Sequence, residues 1–299
     1  MFNHDVLNFR VEKFDLGAFN PNFGGIDGGK IDPSLGVGLR RVDSGEPIAI
    51  VSDSYEPVQY LDIVENLEEA ISMSGIDLDG AEFQTNVIGH GEQLELTAKF
   101  NAEAATIDGK NDTVTPQFKF RTSHNRTWAN NGMMGYFRSA CYNTLVDGNK
   151  LAYVYGRHSK NFSVPSFASK IRAASDYIST GGINKMRGWY NTPVSRDQAI
   201  KLFSSTLAKR LDNVTKAQVP NKVMLSNLMK TFDEENRHLI GRGNYERYGE
   251  RTEGTLWTAY QAATAWSTHV PKENTRVLRE DKVRKMMDST HWKELEEAA

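Results

Sequence analysis

The chain has 299 residues, 25% of them charged and 39% apolar, and a formal net charge of −2. That length buries a full core in one large or two modest domains, no run approaches the roughly 18 apolar residues of a membrane span, and the lone Cys141 excludes an internal disulfide or a cysteine-based zinc site. The opening MFNHDVLNFRVEKF has neither the basic nor the apolar region of a secretory leader, so the expected location is cytoplasmic.

The small total hides a strong segregation. Residues 1–112 sum to −14, residues 113–230 to +14 and residues 231–299 to −2. Such asymmetry points to a polyanionic partner; the same pattern arises where the two regions pack together and neutralise each other.

In chain order, residues 1–46 read as a glycine-rich arm. Gly24 to Lys30 fits G-x-x-x-x-G-K, but Ile31 stands where a phosphate-binding loop needs Ser or Thr, and no strand precedes it. Residues 47–165 read as an α+β sheet core. Ile48 to Val51 is strand-like, and residues 58–74 place Val58, Leu61, Val64, Leu67 and Ile71 at helical spacing before Gly75. Two strand-like runs follow, 82–89 and 93–100, the second alternating Leu94, Leu96 and Ala98 with Glu95, Thr97 and Lys99 as a strand with one wet face would. Gln117 to Arg121 alternates Phe118 and Phe120 with Lys119 and Arg121; Met134 to Leu145 fits helix or strand; Leu151 to Tyr155 reads as a strand. Residues 166–299 read as a helical region packed on the same core, with helices over 166–179, 195–211 capped by Ser195, 221–238, 254–269 and 276–297. The expected fold is α+β: an antiparallel or mixed sheet with a helix on it in the N-terminal half, and a predominantly α-helical C-terminal half.

The chemistry concentrates between Thr113 and Arg172. That window carries nine Lys and Arg against the single acid Asp147, with ten aromatic residues threaded between them. Basic side chains release counterions from phosphates, and interleaved aromatic rings stack on bases at about 1–3 kcal/mol each. Lys119, Arg121, Arg126, Arg138, Arg157 and Lys160 are the expected phosphate contacts, and Trp128, Tyr153 and Tyr155 the expected stacking platforms. His124, His158 and Asp147 lack metal-ligand spacing, and Cys141 sits in FRSACYNTL as a packed small residue. No catalytic residue, metal or cofactor is assigned, and the chain is not expected to be an enzyme.

Three signatures in this window, Thr122-Ser-His-Asn-Arg-Thr127, Arg138-Ser-Ala-Cys-Tyr-Asn-Thr-Leu145 and Arg157-His-Ser-Lys-Asn161, resemble marks of an uncharacterised phage- and plasmid-like family, the domain of unknown function nine-three-two. Val51 to Gln59 and the Gly254 to Thr264 stretch are similar to two further marks. The resemblance covers roughly residues 48–270 and departs at Asn125 and Arg126, where that family tends to Asp-Gly. In charge and outline the chain also resembles phage single-stranded DNA-binding and annealing proteins. The resemblance implies a place near replication and recombination on mobile elements, and no catalytic residues.

The sequence therefore leads to the expectation of a phage or mobile-element protein that binds single-stranded DNA, or RNA, without sequence specificity, in protection or annealing during replication and recombination. A homo-oligomer, no membrane, and phage or host replication and transcription proteins as further partners complete it. The alternative is a protein-interaction or inhibitor role in which the basic surface meets an acidic host partner.

Overall fold

A computed structural model describes residues 1–16, 36–107, 112–138, 143–146, 153–156, 164–177, 181–212, 215, 217–239 and 253–298. It is an α+β protein, and its chain divides into two compact units. The first comprises Met1–Ala102, Gln117–Met133 and Tyr153–Ser175; the second comprises Glu103–Pro116, Met134–Ala152 and Asp176–Ala299.

In the first unit, β1 (Val11–Phe14), β2 (Val37–Arg41) and β3 (Pro47–Val51) form an antiparallel meander. Order thus starts well before Pro47, and the flanks of the expected arm are part of the fold; Gly24 to Lys30 lies outside the described residues. The signal was present but masked by glycines: Val11, Leu39, Ile48 and Val51 are all buried. The chain start is tied down as well. Glu68 accepts from the backbone N–H of Phe2 at 2.6 Å and meets His4 at 3.0 Å, while Phe2 packs edge-on against Phe83.

Helix α1 (Tyr60–Ser74) buries Tyr60, Val64, Leu67, Ala70 and Ile71, a stripe of three- and four-residue steps. Gly75 ends it in the left-handed region, φ +74°, and Arg172 donates to the carbonyl of Ser74 at 3.0 Å. The two expected strands, β4 (Glu82–Ile88) and β5 (Gln93–Lys99), pair as a hairpin, and β5 pairs with β7 (Thr113–Ser123) so that Leu96 faces Phe120 and Ala98 faces Phe118. The second face of β5 is not wet: Glu95, Thr97, Lys119 and Arg121 are buried too. Beyond the short β6 (Ala105–Thr106), β8 is Asn130–Arg138 and pairs with β9 (Asn143–Val146) and with β10 (Tyr153–Gly156), so the described residues of the 134–145 stretch, which fitted helix or strand, are strand.

Helix α2 spans Val164–Tyr177, and the second unit then gathers α3 (Ile183–Asn191), α4 (Arg196–Ser205), α5 (Lys222–Leu239), α6 (Leu256–Thr268), α7 (Glu273–Met287) and α8 (Thr290–Glu297). Helix α6 is the axis of this unit, since every residue from Leu256 to Thr264 is buried. Trp189 meets Tyr260 at 4.9 Å and Trp292 edge-on at 5.1 Å. Ser195 with Gln198, and Thr255 with Thr258, form reciprocal capping boxes that start α4 and α6. The paired stretches β11 (Pro193–Val194) and β14 (Gly254–Thr255) lie just ahead of those caps.

The helix expected over 195–211 stops at Ser205. Leu207 and Ala208 are buried, and Lys209–Leu211 (β12) pairs with Gln218–Pro220 (β13), so tertiary pairing overrides helix propensity. The expected terminal helix likewise divides at Ser289, whose hydroxyl accepts from the N–H of Trp292 and caps α8. Among the described residues no helix is long and apolar enough to cross a membrane.

Candidate nucleic-acid interface

The loop from Thr122 to Trp128 is the most tightly specified part of the basic window. His124 donates its backbone N–H to the carbonyl of Glu92 at 2.8 Å, and its ring stacks on Tyr60 at 4.1 Å. The Tyr60 hydroxyl donates to that same carbonyl at 3.0 Å; burial drives its pKa upward. Asn125 donates to the Glu92 carboxylate at 2.9 Å and accepts from the hydroxyl of Thr127, which in turn accepts from Gln93 at 2.6 Å. Ser123 closes the loop by exchanging hydrogen bonds with the backbone of Trp128, both at 2.9 Å. The polar sequence S-H-N-R-T folds this way because each short side chain satisfies a backbone or turn partner within reach.

One residue is left over by that network, Arg126. It is exposed, and it sits at φ +64°, the only non-glycine among the described residues with a positive φ. A side chain in this region costs about 1–2 kcal/mol relative to glycine. The neighbouring Tyr55 hydroxyl is buried, and burial raises its pKa while the charge of Arg126 lowers it. The loop thus holds the backbone of an exposed arginine in a strained conformation at the surface.

The other expected contacts are placed differently. Lys119, Arg121 and Trp128 are buried, at 6%, 8% and 7% exposure. Arg121 donates to Glu95 at 2.7 Å, its direct cross-strand partner, and its guanidinium lies 5.8 Å from the Trp128 ring. Arg138 is 1% exposed. It grips Asp112 with two hydrogen bonds, one of 2.8 Å, donates to Glu235 at 2.8 Å and to Gln261 at 3.3 Å, and lies 5.6 Å from the ring of Trp257, whose N–H bonds the same Asp112. These four buried residues do not form an open phosphate-binding surface, and the charges of Arg121 and Arg138 are committed to carboxylates distant in sequence. Tyr153 and Tyr155 pair with Met133 and Asn131 on β8, while their side chains, and all of Arg157, Lys160, Cys141, Asp147 and His158, lie outside the described residues.

The charge segregation resolves in part. The first unit joins the acidic 1–102 to basic segments, and Glu95 with Arg121 is one such neutralised pair. Sequence reasoning missed cations further on. A cavity of about 490 Å³ in the second unit is lined by Lys209, Arg210, Lys282 and Lys285, and another of about 540 Å³ by Arg196, Lys222, Lys230 and Arg237 around Asp233. No linear motif marks either, because each is assembled from two separated helices or a helix and a hairpin. Among the described residues no group of three or more His, Cys, Asp or Glu is placed to hold a metal ion.

The signatures read from the sequence pair up in space, within each unit. Tyr55 and Tyr60 meet the 122–128 loop in the first; Arg138 meets Trp257 and Gln261 of α6 in the second. Fold and loop therefore define an α+β protein built around two short sequence marks per unit. The chain belongs to the family described as Domain of unknown function (DUF932), whose model matches residues 47–291. No curated protein and no solved structure matches it.

Proposed function

We propose that this chain is a non-sequence-specific single-stranded nucleic-acid-binding protein of a phage or mobile element, acting in replication or recombination, with Arg126 among its phosphate contacts. The observation that supports the reading most is Arg126 itself. An exposed arginine is retained in a backbone conformation that glycine would adopt without cost, on a loop fixed by its neighbours, within the most basic window of the chain. Backbone strain of this kind clusters at sites where a side chain does work.

Phosphate recognition by an exposed guanidinium is independent of sequence. The buried Lys119, Arg121, Trp128 and Arg138 support the fold in this reading and make no contact with nucleic acid. The test is fluorescence anisotropy of labelled single-stranded oligonucleotides of unrelated sequence at low salt, against the duplex of one of them. Binding of all single strands with similar affinity, above that of the duplex, supports the proposal. Absence of binding, with capture of an acidic protein that survives nuclease treatment, replaces it by the protein-interaction role.

A further inference from the structure

The hairpin β12–β13 and helix α7 bring cations together that no signature announces. Helix α4 ends at Ser205, and the chain is then pinned by Leu207 and Ala208, whose N–H groups both return to the carbonyl of Phe203, at 3.0 and 2.7 Å. Lys209 and Arg210 follow at once on β12, held in register with Pro220 and Val219. Across the cavity, α7 supplies Lys282 and Lys285, one helical turn apart and so on one face. Buried Met286 lies beside them, and Ser289, the cap of α8, also lines the space, adding the positive end of that helix.

The electrostatics of this cavity are one-sided. Its lining contains four cations and no carboxylate. Lys285 is paired with Asp281 at 2.6 Å, which also accepts from Arg284 at 2.8 Å. Lys209, Arg210 and Lys282 have no carboxylate within ion-pair distance among the described residues. Burial pushes the Asp281 carboxyl up, but Lys285 and Arg284 outweigh it and hold the carboxyl below its ordinary range. A concave surface that collects like charges pays in self-repulsion unless an anion enters. There is no aromatic ring in the lining on which a base could stack.

We infer that the cavity between the β12–β13 hairpin and α7 is a subsite for the backbone phosphates of a single-stranded nucleic acid, with Lys209, Arg210 and Lys282 as its contacts. This rests on the proposed nucleic-acid binding and names a part of it that does not involve Arg126. Phosphate-only contact with no stacking platform makes the subsite indifferent to base identity. The hydroxyls in the lining are already engaged, Ser205 and Thr206 donating to the carbonyl of Leu202 and Ser289 to that of Met286, so the cations carry the contact.

The experiment uses the full chain and labelled single-stranded oligonucleotide, titrated between about 50 and 200 mM salt. Wild type is compared with the triple variant Lys209→Gln, Arg210→Gln, Lys282→Gln, and with Arg126→Ala. Arg210 and Lys282 are exposed and Lys209 is half-buried, so the thermal midpoint of the triple variant serves as the folding control. The inference predicts that the triple variant, folded, lowers the slope of log affinity against log salt by about 2, at roughly 0.7 per lost single-strand contact. Arg126→Ala lowers it by a single contact. A triple variant with wild-type affinity and slope overturns the cavity subsite and leaves the proposed function standing. Wild type that fails to bind at low salt overturns both. Inorganic phosphate that raises the thermal midpoint of wild type but not of the triple variant, while oligonucleotide affinity stays the same in both, overturns it in favour of a free-phosphate site.

Discussion

Replacing Arg138 by Met removes the hub of the second unit. The guanidinium makes two hydrogen bonds to Asp112, one to Glu235 and one to Gln261, and Asp112 is 0% exposed, so the variant leaves a buried carboxylate, bonded by the Trp257 N–H, without its cation. Hydrogen bonds to charged groups are worth about 1.5–3 kcal/mol each but do not add, and breaking a buried ion pair from one side costs about 3–5 kcal/mol. For a unit of this size that lowers the melting midpoint by about 6–20 °C, at roughly 2–4 °C per kcal/mol. Denaturant unfolding followed by tryptophan fluorescence reads it directly, because Trp189, Trp257 and Trp292 all lie in this unit. Adding Asp112→Asn to Arg138→Met should recover part of the loss, with a coupling of about 1–3 kcal/mol. A single Arg138→Met variant within about 1 kcal/mol of wild type, whose affinity for oligonucleotide nevertheless falls, would refute the structural role and return Arg138 to the phosphate contacts.

Arg126→Gly should dissociate stability from binding: unfolding free energy rises by up to about 1 kcal/mol as the positive φ relaxes, less the extra freedom of glycine in the unfolded chain, while oligonucleotide affinity drops. Denaturant unfolding and anisotropy on the same preparation check both signs. Gly75→Ala should destabilise the first unit by about 1–2 kcal/mol, because φ is +74° and a Cβ there would stand 2.5 Å from the Arg172 guanidinium. Alkaline unfolding should report Tyr60. Its folded pKa is raised by burial, so the stability it contributes is complete below the ordinary tyrosine value of about 10 and is lost as pH climbs from there toward the folded value. Tyr60→Phe should flatten that fall, at a cost of about 1 kcal/mol near neutral pH for the lost bond to Glu92.

Local periodicity carried much of the fold. The 58–74 stripe, the 82–100 hairpin and the Ser195 cap are local patterns, and each stands within a residue or two of its expected place. What failed to show was decided by partners far along the chain. Strands β1 and β2 were hidden behind a glycine-rich stretch, and their pairing with β3 is a register that no short window contains. The same physics governed the candidate site. Composition marks Lys119, Arg121, Trp128 and Arg138 as available, yet Glu95, Asp112 and Glu235 lie 26, 26 and 97 residues away from the arginines they bind. Arg126 escapes because the distant partners of its loop, Glu92, Gln93 and Tyr60, engage its neighbours and leave its own side chain exposed; the Lys209, Arg210 and Lys282 cluster was invisible because a hairpin and a helix some 70 residues on are needed to close it.

The central claim is that this chain meets its partner through phosphates. The most direct measurement is the affinity of the 299-residue chain for one labelled single-stranded oligonucleotide across a salt series. The account predicts tight binding at low salt, with log affinity falling linearly against log salt by about 0.7 for each phosphate contact, hence by about 3 for Arg126 with the three cavity cations. Affinity that does not change with salt, or no binding at the lowest salt, would contradict it.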